Sequence, residues 1–512
     1  MFFAIASALF LILSFPKFSL WPLAWVAFVP IFCYVRRSNH FGWAFFYCWV
    51  FGFLFFFATW EWLRHVSYFG WIFLAALYAF YFGFFGILTY WFWRRSLFLL
   101  SVFVLPCAWV VLEWIRTEIP VWGFGWNLLA YSQSARFEIA SFANLFGAYG
   151  VSALIILGNL SIFFVLQLVT TRKRTEIFTA LFSVTFFALI LGLHLNYQTA
   201  HKPFQETQSF IRTAVIQGNI PQEGKWDPQN RSAILDTYEK LSRFVGYDKK
   251  LDLIIWPEAA FPGYLNLDRE HERVFQLEEE LGIPILLGSP HLEPSTGGPE
   301  IAYNSAYLID YRMSLQDRYD KVRLVSFGEY VPWRGFFGPL GIERFAYSLG
   351  VSDFIAGKEV KVFSLKSKTE HRFSVLICFE DTFPYLARQA VDKGAQFLIV
   401  ITNDAWFSKS AAAYQHLQAS IFRAIENSVP VIRSANTGVS AFIDSQGEVL
   451  DRVKDKHGHD TFIAGGLVRS ISLGSPKTFY RERGYRFPLY CLIFVLASLI
   501  LTLPVSVRSE HD

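Results

Sequence analysis

Three side chains with complementary chemistry, Glu258, Lys321 and Cys378, follow strand-like runs in the polar part of the sequence. A free thiol is mostly protonated at neutral pH, and a nearby ammonium such as that of Lys321 favours the reactive thiolate. The Glu258 carboxylate can accept the thiol proton and later return one to a leaving group. The ammonium can also stabilise the oxyanion of a tetrahedral intermediate, alongside the backbone N–H of Phe379. Together the residues predict covalent catalysis at an ionised Cys378.

Each residue taken alone has an ordinary interpretation. A cysteine at the end of an apolar strand is more often buried core than nucleophile, and a lone lysine in a polar loop is usually solvated. The chain has five cysteines, which are Cys33, Cys48, Cys107, Cys378 and Cys491. Four of them lie in apolar runs, so Cys378 alone belongs to the polar region and no disulfide framework is predicted.

Motifs for cofactor and metal chemistry are absent from the sequence. We find no GxxxxGK[ST] phosphate loop, no HExxH or paired-cysteine metal spacing and no GxSxG serine turn. We therefore expect no cofactor and no metal. The formal net charge of +4 over 512 residues does not suggest a nucleic-acid partner.

The residues that carry the chemistry lie in a polar block that we delimit as 211–470. In it, β-rich runs at 253–256, 285–287, 373–378 and 397–402 alternate with helical patterns at 275–281, 385–393 and 414–427. Strands that alternate with helices predict a layered α/β domain.

Apolar segments surround this block. The whole chain is 53% hydrophobic and only 17% charged, against about 25% charged residues in soluble domains. We assign spans to 2–15, 20–35, 42–63, 70–93, 97–115, 145–169, 178–196 and 487–505, and thus a transmembrane domain at 1–197 with about seven helices. The first two are short, and two tilted spans are favoured over one re-entrant pair. The first lacks the basic leader and cleavage site of a signal peptide, so we expect no cleavage.

The basic residues predict the orientation of these spans. Arg36–Arg37, Arg94–Arg95 and the cluster at 172–174 follow segments two, four and six, so these loops share one side of the membrane. Loops with clustered basic residues stay in the cytoplasm. The polar block follows segment seven and is therefore expected on the extracytoplasmic side.

The motifs around the three residues resemble those of the carbon–nitrogen hydrolase (nitrilase) superfamily. The whole chain resembles the apolipoprotein N-acyltransferases, which combine such a domain with membrane spans. The segments that carry the likeness are Gln217-Gly-Asn-Ile-Pro221, Lys225-Trp226-Asp227, Trp256-Pro-Glu258, Phe327-Gly-Glu329, Thr402-Asn-Asp-Ala-Trp-Phe407, Arg433-Ser-Ala-Asn-Thr-Gly438, Glu113-Trp-Ile-Arg116 and Gly125-Trp-Asn-Leu-Leu-Ala-Tyr-Ser-Gln133. The implied fold is a polytopic α-helical membrane domain plus an α-β-β-α sandwich.

The resemblance also implies an activity and roles for residues. An acyl chain passes from a phospholipid to the nucleophile Cys378, and then to the amine of the diacylglyceryl-cysteine at an apolipoprotein N-terminus. Glu258 is the implied base and Lys321 the oxyanion stabiliser. The implied supporting residues are Glu329, Glu380 and Phe379, and Trp226 is implied to bind substrate. The implied setting is a monomer in the bacterial cytoplasmic (inner) membrane, with its catalytic domain on the periplasmic side.

Two departures and two alternatives accompany this interpretation. The family often has Tyr where this chain has Phe379, and commonly has Gly where this chain has Ser408. One alternative is a membrane-anchored amidase or nitrilase that passes the acyl group to water. The other is a transporter-like or scaffolding protein with an inactive nitrilase-like domain.

Overall fold

The computed structural model describes most of the chain. The described residues are 1–169, 173–200, 209–247, 250–293, 300–310, 315–332, 353–366, 370–474 and 478–503. Arg172 of the third basic cluster, residues 504–505 of the last predicted span and parts of the predicted 211–470 domain lie outside these ranges.

The described helices lie mainly before and after a mixed α/β region. They are α1 (Phe2–Leu13), α2 (Val29–Arg37), α3 (Phe41–Thr59), α4 (Tyr68–Arg94), α5 (Phe98–Glu118), α6 (Phe137–Ala140), α7 (Ala143–Gln167), α8 (Arg174–Ala200), α9 (Arg231–Gly246), α10 (His271–Leu281), α11 (Pro384–Asp392), α12 (Ala412–Asn427), α13 (Phe479–Glu482) and α14 (Phe487–Leu501).

The described strands all lie in the polar block. They are β1 (Phe210–Gln217), β2 (Leu253–Ile255), β3 (Ile285–Glu293), β4 (Ile301–Asp310), β5 (Leu315–Asp320), β6 (Val362–Lys366), β7 (Glu370–Ile377), β8 (Phe397–Thr402), β9 (Val431–Ala435), β10 (Ala441–Ile443), β11 (Val449–Arg452) and β12 (Gly465–Ser472).

Six helical stretches in the described part of the chain are long and apolar enough to cross a bilayer. They are α3, α4, α5, α7, α8 and the stretch Gly484–Leu501, which contains α14. Helices α1 and α2 have only 12 and 9 residues, too few to cross a hydrocarbon core of about 30 Å alone. They pack together, and Ser7 Oγ accepts the Ile31 N–H at 3.1 Å. The predicted count of about eight spans is therefore approximate.

Aromatic side chains fill the interior of the helical bundle. Phe28 lies at its centre, with ring centroids 5.2 Å from Phe51 and 4.9 Å from Trp109, both in edge-on geometry. Helices α3 and α4 approach closely where Gly86 has no side chain, since a Cβ there would lie 2.6 Å from the Ala44 oxygen. Dispersion contacts at such close approach hold membrane helices together, because lipid supplies no hydrophobic driving force.

The polar block forms two facing sheets of six strands each within the described residues. The first has the order β12-β1-β2-β3-β4-β5 and the second β11-β10-β9-β8-β7-β6. Strands β1, β2 and β3 are parallel in the first sheet, as are β7, β8 and β9 in the second. Their facing sides form one apolar core, to which Val215 and Ile255 contribute from one sheet and Val375 and Ile399 from the other.

Helices cover the outer side of each sheet. Leu235 of α9 and Leu277 of α10 pack on the first sheet. Leu386 of α11 and Ile421 of α12 pack on the second sheet and share a continuous apolar cluster with the membrane helices. The predicted α-β-β-α sandwich is confirmed, and its α11–α12 layer joins it to the helical bundle.

Candidate active site

The ends of four strands bring the candidate residues to one edge of the sandwich. Glu258 follows β2, Lys321 follows β5, and Cys378 directly follows β7. Asn403 follows β8, which is parallel to β7. Because parallel neighbours end at the same edge of a sheet, the loops after them converge.

The Glu258 and Lys321 side chains meet in a buried cluster. The Lys321 Nζ lies 3.8 Å from Oε1 of Glu258 and 2.9 Å from Oε1 of Glu329. The Asn304 Nδ2 donates to Oε1 of both carboxylates, at 2.8 Å for Glu258 and 2.7 Å for Glu329. The backbone N–H of Asn403 donates to the other Glu258 oxygen at 2.8 Å. The carboxylate of Glu258 is thus fixed on both of its oxygens.

Glu380 ties the turn at Cys378 to the end of the strand that carries Lys321. Cys378 has φ +53°, a left-handed conformation that is strained for a residue with a Cβ. Oε2 of Glu380 accepts the Ile377 N–H at 2.8 Å, while Oε1 accepts the Val322 N–H at 2.7 Å. Val322 directly follows Lys321, so one buried carboxylate sets the distance between the two loops.

The thiol of Cys378 is not ionised in the resting site. Burial and the negative charges of Glu258 and Asp404 raise the pKa of Cys378 well above its ordinary value. The Lys321 ammonium and a hydrogen bond with Thr402 lower the pKa, but by less. The expectation of an ionised sulfur is therefore wrong for the free protein, because burial and two carboxylates outweigh one ammonium. A protonated thiol needs a base when it attacks a substrate. Glu258 is the candidate for this base, because its charge acts directly on the Cys378 thiol.

A buried network of four charged side chains contacts the turn at Cys378. The His416 ring nitrogens lie 2.9 Å from Oδ1 of Asp381 and 3.0 Å from Oδ1 of Asp404. Arg433 contacts the same two carboxylates at 3.1 and 3.3 Å. Burial and Arg433 lower the pKa of His416, but the two carboxylates prevail and raise it to about 9. His416 is therefore an imidazolium at neutral pH, and its Nε2 lies 3.3 Å from the Cys378 oxygen.

A loop of the membrane domain forms one wall of the site. Residues 119–126 follow α5, and the Phe124 ring stacks on that of Phe379 at 5.5 Å. The Arg323 guanidinium donates to the Ile119 oxygen at 2.8 Å. Between this loop and residues 322–330 lies a cleft of about 360 Å³. The loop 119–126 thus connects helix α5 of the membrane domain with the residue next to the nucleophile.

The Glu113-Trp-Ile-Arg116 motif holds this loop in place. Nη1 of Arg116 donates to the Phe124 oxygen at 3.1 Å and to the Trp126 oxygen at 2.8 Å. Oε1 of Glu113 accepts the Leu129 N–H at 2.7 Å. These charged side chains satisfy backbone groups beyond the C-terminal end of α5, where the chain is not helical.

The two remaining predicted residues, Phe379 and Trp226, differ in exposure. Phe379 is nearly buried and packs between Phe124 and Phe383. Trp226 is 45% exposed on the loop between β1 and α9, so its ring is available to a ligand. Ser408 adopts φ +50°, a left-handed conformation that favours glycine.

Several residues of the site were not singled out by the sequence. Asn304 lies inside β4 and has no motif that marks it. Asn403 and Lys225 lie in segments that carry the family likeness, and His416 lies on a helix without a catalytic pattern. In the described ranges, no group of three or more His, Cys, Asp or Glu residues is arranged to hold a metal ion.

The two-sheet domain is a nitrilase-like α/β domain. The sequence model of the carbon–nitrogen hydrolase family matches residues 212–464, and that of the apolipoprotein N-acyltransferase N-terminal domain matches residues 7–161. The solved amidase from Nesterenkonia sp. AN1 is 20% identical with a TM-score of 0.38, and covers 53% of this chain and 96% of its own.

Relatives along most of the chain are more similar. The apolipoprotein N-acyltransferase of Geobacter metallireducens is 34% identical over 79% of this chain and 74% of its own length. That of Haemophilus influenzae is 30% identical over 96% of this chain and 92% of its own. The chain belongs to the apolipoprotein N-acyltransferase family. It is a multi-pass membrane enzyme.

Proposed function

We propose that this protein transfers an acyl chain from a phospholipid to the N-terminal amine of a diacylglyceryl-cysteine on an apolipoprotein. In the first half-reaction, the Cys378 sulfur attacks the ester carbonyl of the phospholipid, and the lysophospholipid leaves with a proton. In the second, the amine attacks the Cys378 thioester, forms the amide and returns the proton to the sulfur. No external energy source is needed, since the thioester conserves the reactivity of the ester.

The contacts of the cluster support distinct roles for its members. Glu258 takes the thiol proton during attack and returns one to the leaving group. Lys321, held by Glu329, stabilises the oxyanion together with the Phe379 N–H. Glu380 fixes the turn at Cys378, and Trp226 contacts the substrate from its half-exposed position.

The observation that carries the proposal is the junction between Cys378 and the membrane loop. Phe379, the neighbour of the nucleophile, stacks on Phe124 of that loop, and the adjoining cleft is lined by both domains. In the proposed reaction, a lipid approaches the sulfur from this junction, so that its acyl chain is not transferred completely into water, which would cost about 0.8 kcal/mol per CH₂.

The same proposal includes the cellular setting. We place the α/β domain on the periplasmic side of the bacterial cytoplasmic membrane, because clustered basic residues follow segments two, four and six. The partners are a phospholipid donor and a diacylated apolipoprotein acceptor. The enzyme acts as a monomer, without a cofactor or nucleic acid.

The test incubates purified protein with labelled phospholipid, with and without a diacylated lipopeptide. We expect an intact-mass increase of one acyl chain mapped to Cys378, which is discharged when the lipopeptide is added and yields an N-acyl peptide. Cys378→Ala forms neither product, whereas Cys491→Ala, which replaces a buried cysteine of the membrane part, retains both. Release of free fatty acid instead of the N-acyl peptide would identify an amidase-like hydrolase.

A further inference from the structure

Arg323 is a cation in the wall of the cleft of about 360 Å³, and the roles above do not use it. Its side chain is half-buried and lies two residues after Lys321. A Cβ at Gly123 would lie only 2.5 Å from Nη2 of Arg323, so the guanidinium packs directly against this glycine of the membrane loop. Ser326 and Tyr330 line the same cleft, and none of the described residues that line it is acidic. The charged part of its lining is therefore positive.

The charge of Arg323 is not neutralised by an ion pair within the described part of the chain. Nη2 donates to the Ile119 oxygen at 2.8 Å, and the guanidinium carbon lies 4.8 Å from the centre of the Phe383 ring. The charge also acts on Glu118, but these two side chains form no ion pair. A guanidinium has five N–H donors, and its planar fork fits a phosphate. Donors of Arg323 therefore remain for an anionic ligand.

Glu380 fixes the position of Arg323 relative to the nucleophile. Its Oε1 accepts the backbone N–H of Val322 at 2.7 Å and that of Arg323 at 3.0 Å. Its Oε2 accepts the N–H of Ile377, which directly precedes Cys378. One buried carboxylate thus joins the backbone of Arg323 to the turn that carries the sulfur. A ligand held by Arg323 would lie beside this turn.

The phospholipid of the proposed reaction carries an anion that suits this position. Its phosphate and its reacting ester are attached to the same glycerol, so the phosphate stays a few bonds from the carbonyl that Cys378 attacks. Lys321 is already engaged, since its Nζ lies 3.8 Å from Oε1 of Glu258 and 2.9 Å from Oε1 of Glu329. Arg323 is not engaged by a carboxylate in the described residues, so it is the better partner for the phosphate.

We propose that the Arg323 guanidinium binds the phosphate of the phospholipid donor while its ester reacts with Cys378. The inference rests on the proposed function and names the part of the donor that the cleft recognises. The phosphate leaves with the lysophospholipid after the acyl chain has moved to the sulfur. Because the contact involves only the phosphate, it selects phospholipids over neutral acyl esters rather than one head group over another.

The test compares two donors of the same acyl chain, dipalmitoyl phosphatidylglycerol and the phosphate-free p-nitrophenyl palmitate. Acylation of Cys378 is followed by intact mass on the full-length protein in detergent, below saturation with donor. In Arg323→Met, we expect the ratio of the phospholipid rate to the p-nitrophenyl ester rate to fall by about ten- to a hundredfold, as for loss of a hydrogen bond between charged groups. Arg323→Lys keeps the cation and most of the ratio. Arg269→Met, which removes an exposed arginine before α10, leaves the ratio unchanged.

The outcomes separate this inference from the proposed function. An unchanged ratio in Arg323→Met would overturn the inference, and so would an equal loss of both rates, which is what a purely structural contact with Ile119 predicts. Should Arg323→Met fail to fold, the neutral Arg323→Gln is measured in the same way. A wild type that accepts palmitate from the p-nitrophenyl ester but from no phospholipid would contradict the proposed function itself, together with the inference that rests on it.

Discussion

At the scale of single residues, the site depends on groups that hold the nucleophile rather than on the nucleophile alone. Cys378 is a neutral thiol in a strained turn. Glu380 accepts the N–H of the preceding Ile377, and the His416 imidazolium contacts the Cys378 backbone oxygen. The two positive and two negative charges of the network of His416, Asp381, Asp404 and Arg433 cancel. The network therefore carries no net charge as a whole, although Asp404 within it raises the pKa of Cys378.

The raised pKa of His416 makes stability depend on pH. The folded pKa of about 9 exceeds the unfolded value of about 6.5, so the stabilisation is complete below pH 6.5 and is lost as pH rises through 9. The expected loss is on the order of 3 kcal/mol. The measurement is the thermal midpoint in detergent between pH 6 and 9.5, for the wild type and His416→Asn. If both lose stability equally over this range, His416 is not charged in the fold.

At the scale of elements, helix α12 connects the membrane bundle with the nucleophile. Two successive residues of α12 make these contacts: Gln415 contacts the membrane bundle, and His416 contacts the turn at Cys378. The Gln415 Oε1 accepts from the indole N–H of Trp62 at 3.1 Å and of Trp126 at 2.8 Å, and its Nε2 donates to the Thr59 oxygen at 2.9 Å. His416 beside it holds the Cys378 turn. Helix α12 therefore contributes both to the docking of the domains and to the geometry of the site.

Gln415→Leu tests this connection. The substitution leaves two buried indole N–H groups without an acceptor, at a cost of about 1–3 kcal/mol each. We expect a lower thermal midpoint and slower formation of the acyl adduct on Cys378. Gln389→Leu replaces an exposed glutamine of α11 and serves as the matched control. A Gln415→Leu protein with the stability and adduct rate of the wild type would show that the two domains dock independently of α12.

At the scale of the whole molecule, the α/β domain packs on the end of the bundle opposite the basic loops. At one end, the Arg36 guanidinium contacts Glu176 at 3.1 Å, and Arg94 donates to Asn39 at 2.8 Å. At the other end, Glu426 of α12 accepts the Ala148 N–H at 2.8 Å. The two faces of the bundle are therefore chemically distinct, as expected if they lie on opposite sides of a bilayer.

This arrangement predicts which positions are accessible from outside the membrane. In intact spheroplasts, a membrane-impermeant maleimide should label Lys240→Cys of α9 but not Lys173→Cys, which precedes α8. Both positions are exposed in the structure, so the membrane alone distinguishes them. The unmodified protein measures the background from its own five cysteines. Labelling of Lys173→Cys and protection of Lys240→Cys would reverse the proposed orientation.

The sequence by itself determined the class of fold and most of the candidate cluster. Long apolar runs and strands that alternate with helices are local patterns, and they predicted the membrane helices and the layered domain. The ends of β2, β5 and β7 marked Glu258, Lys321 and Cys378, since polar residues after buried strands are visible in one dimension. The predicted number of spans is approximate, because the first two segments form the short helices α1 and α2.

Only the tertiary structure decided the state of the site. Whether the Cys378 sulfur is charged depends on its burial and on the charges of Glu258, Lys321 and Asp404, and no spacing in the chain reveals that balance. The same holds for Asn304 within its strand and for His416 on its helix. Their roles come from neighbours far away in sequence, which only the fold brings within a few ångströms.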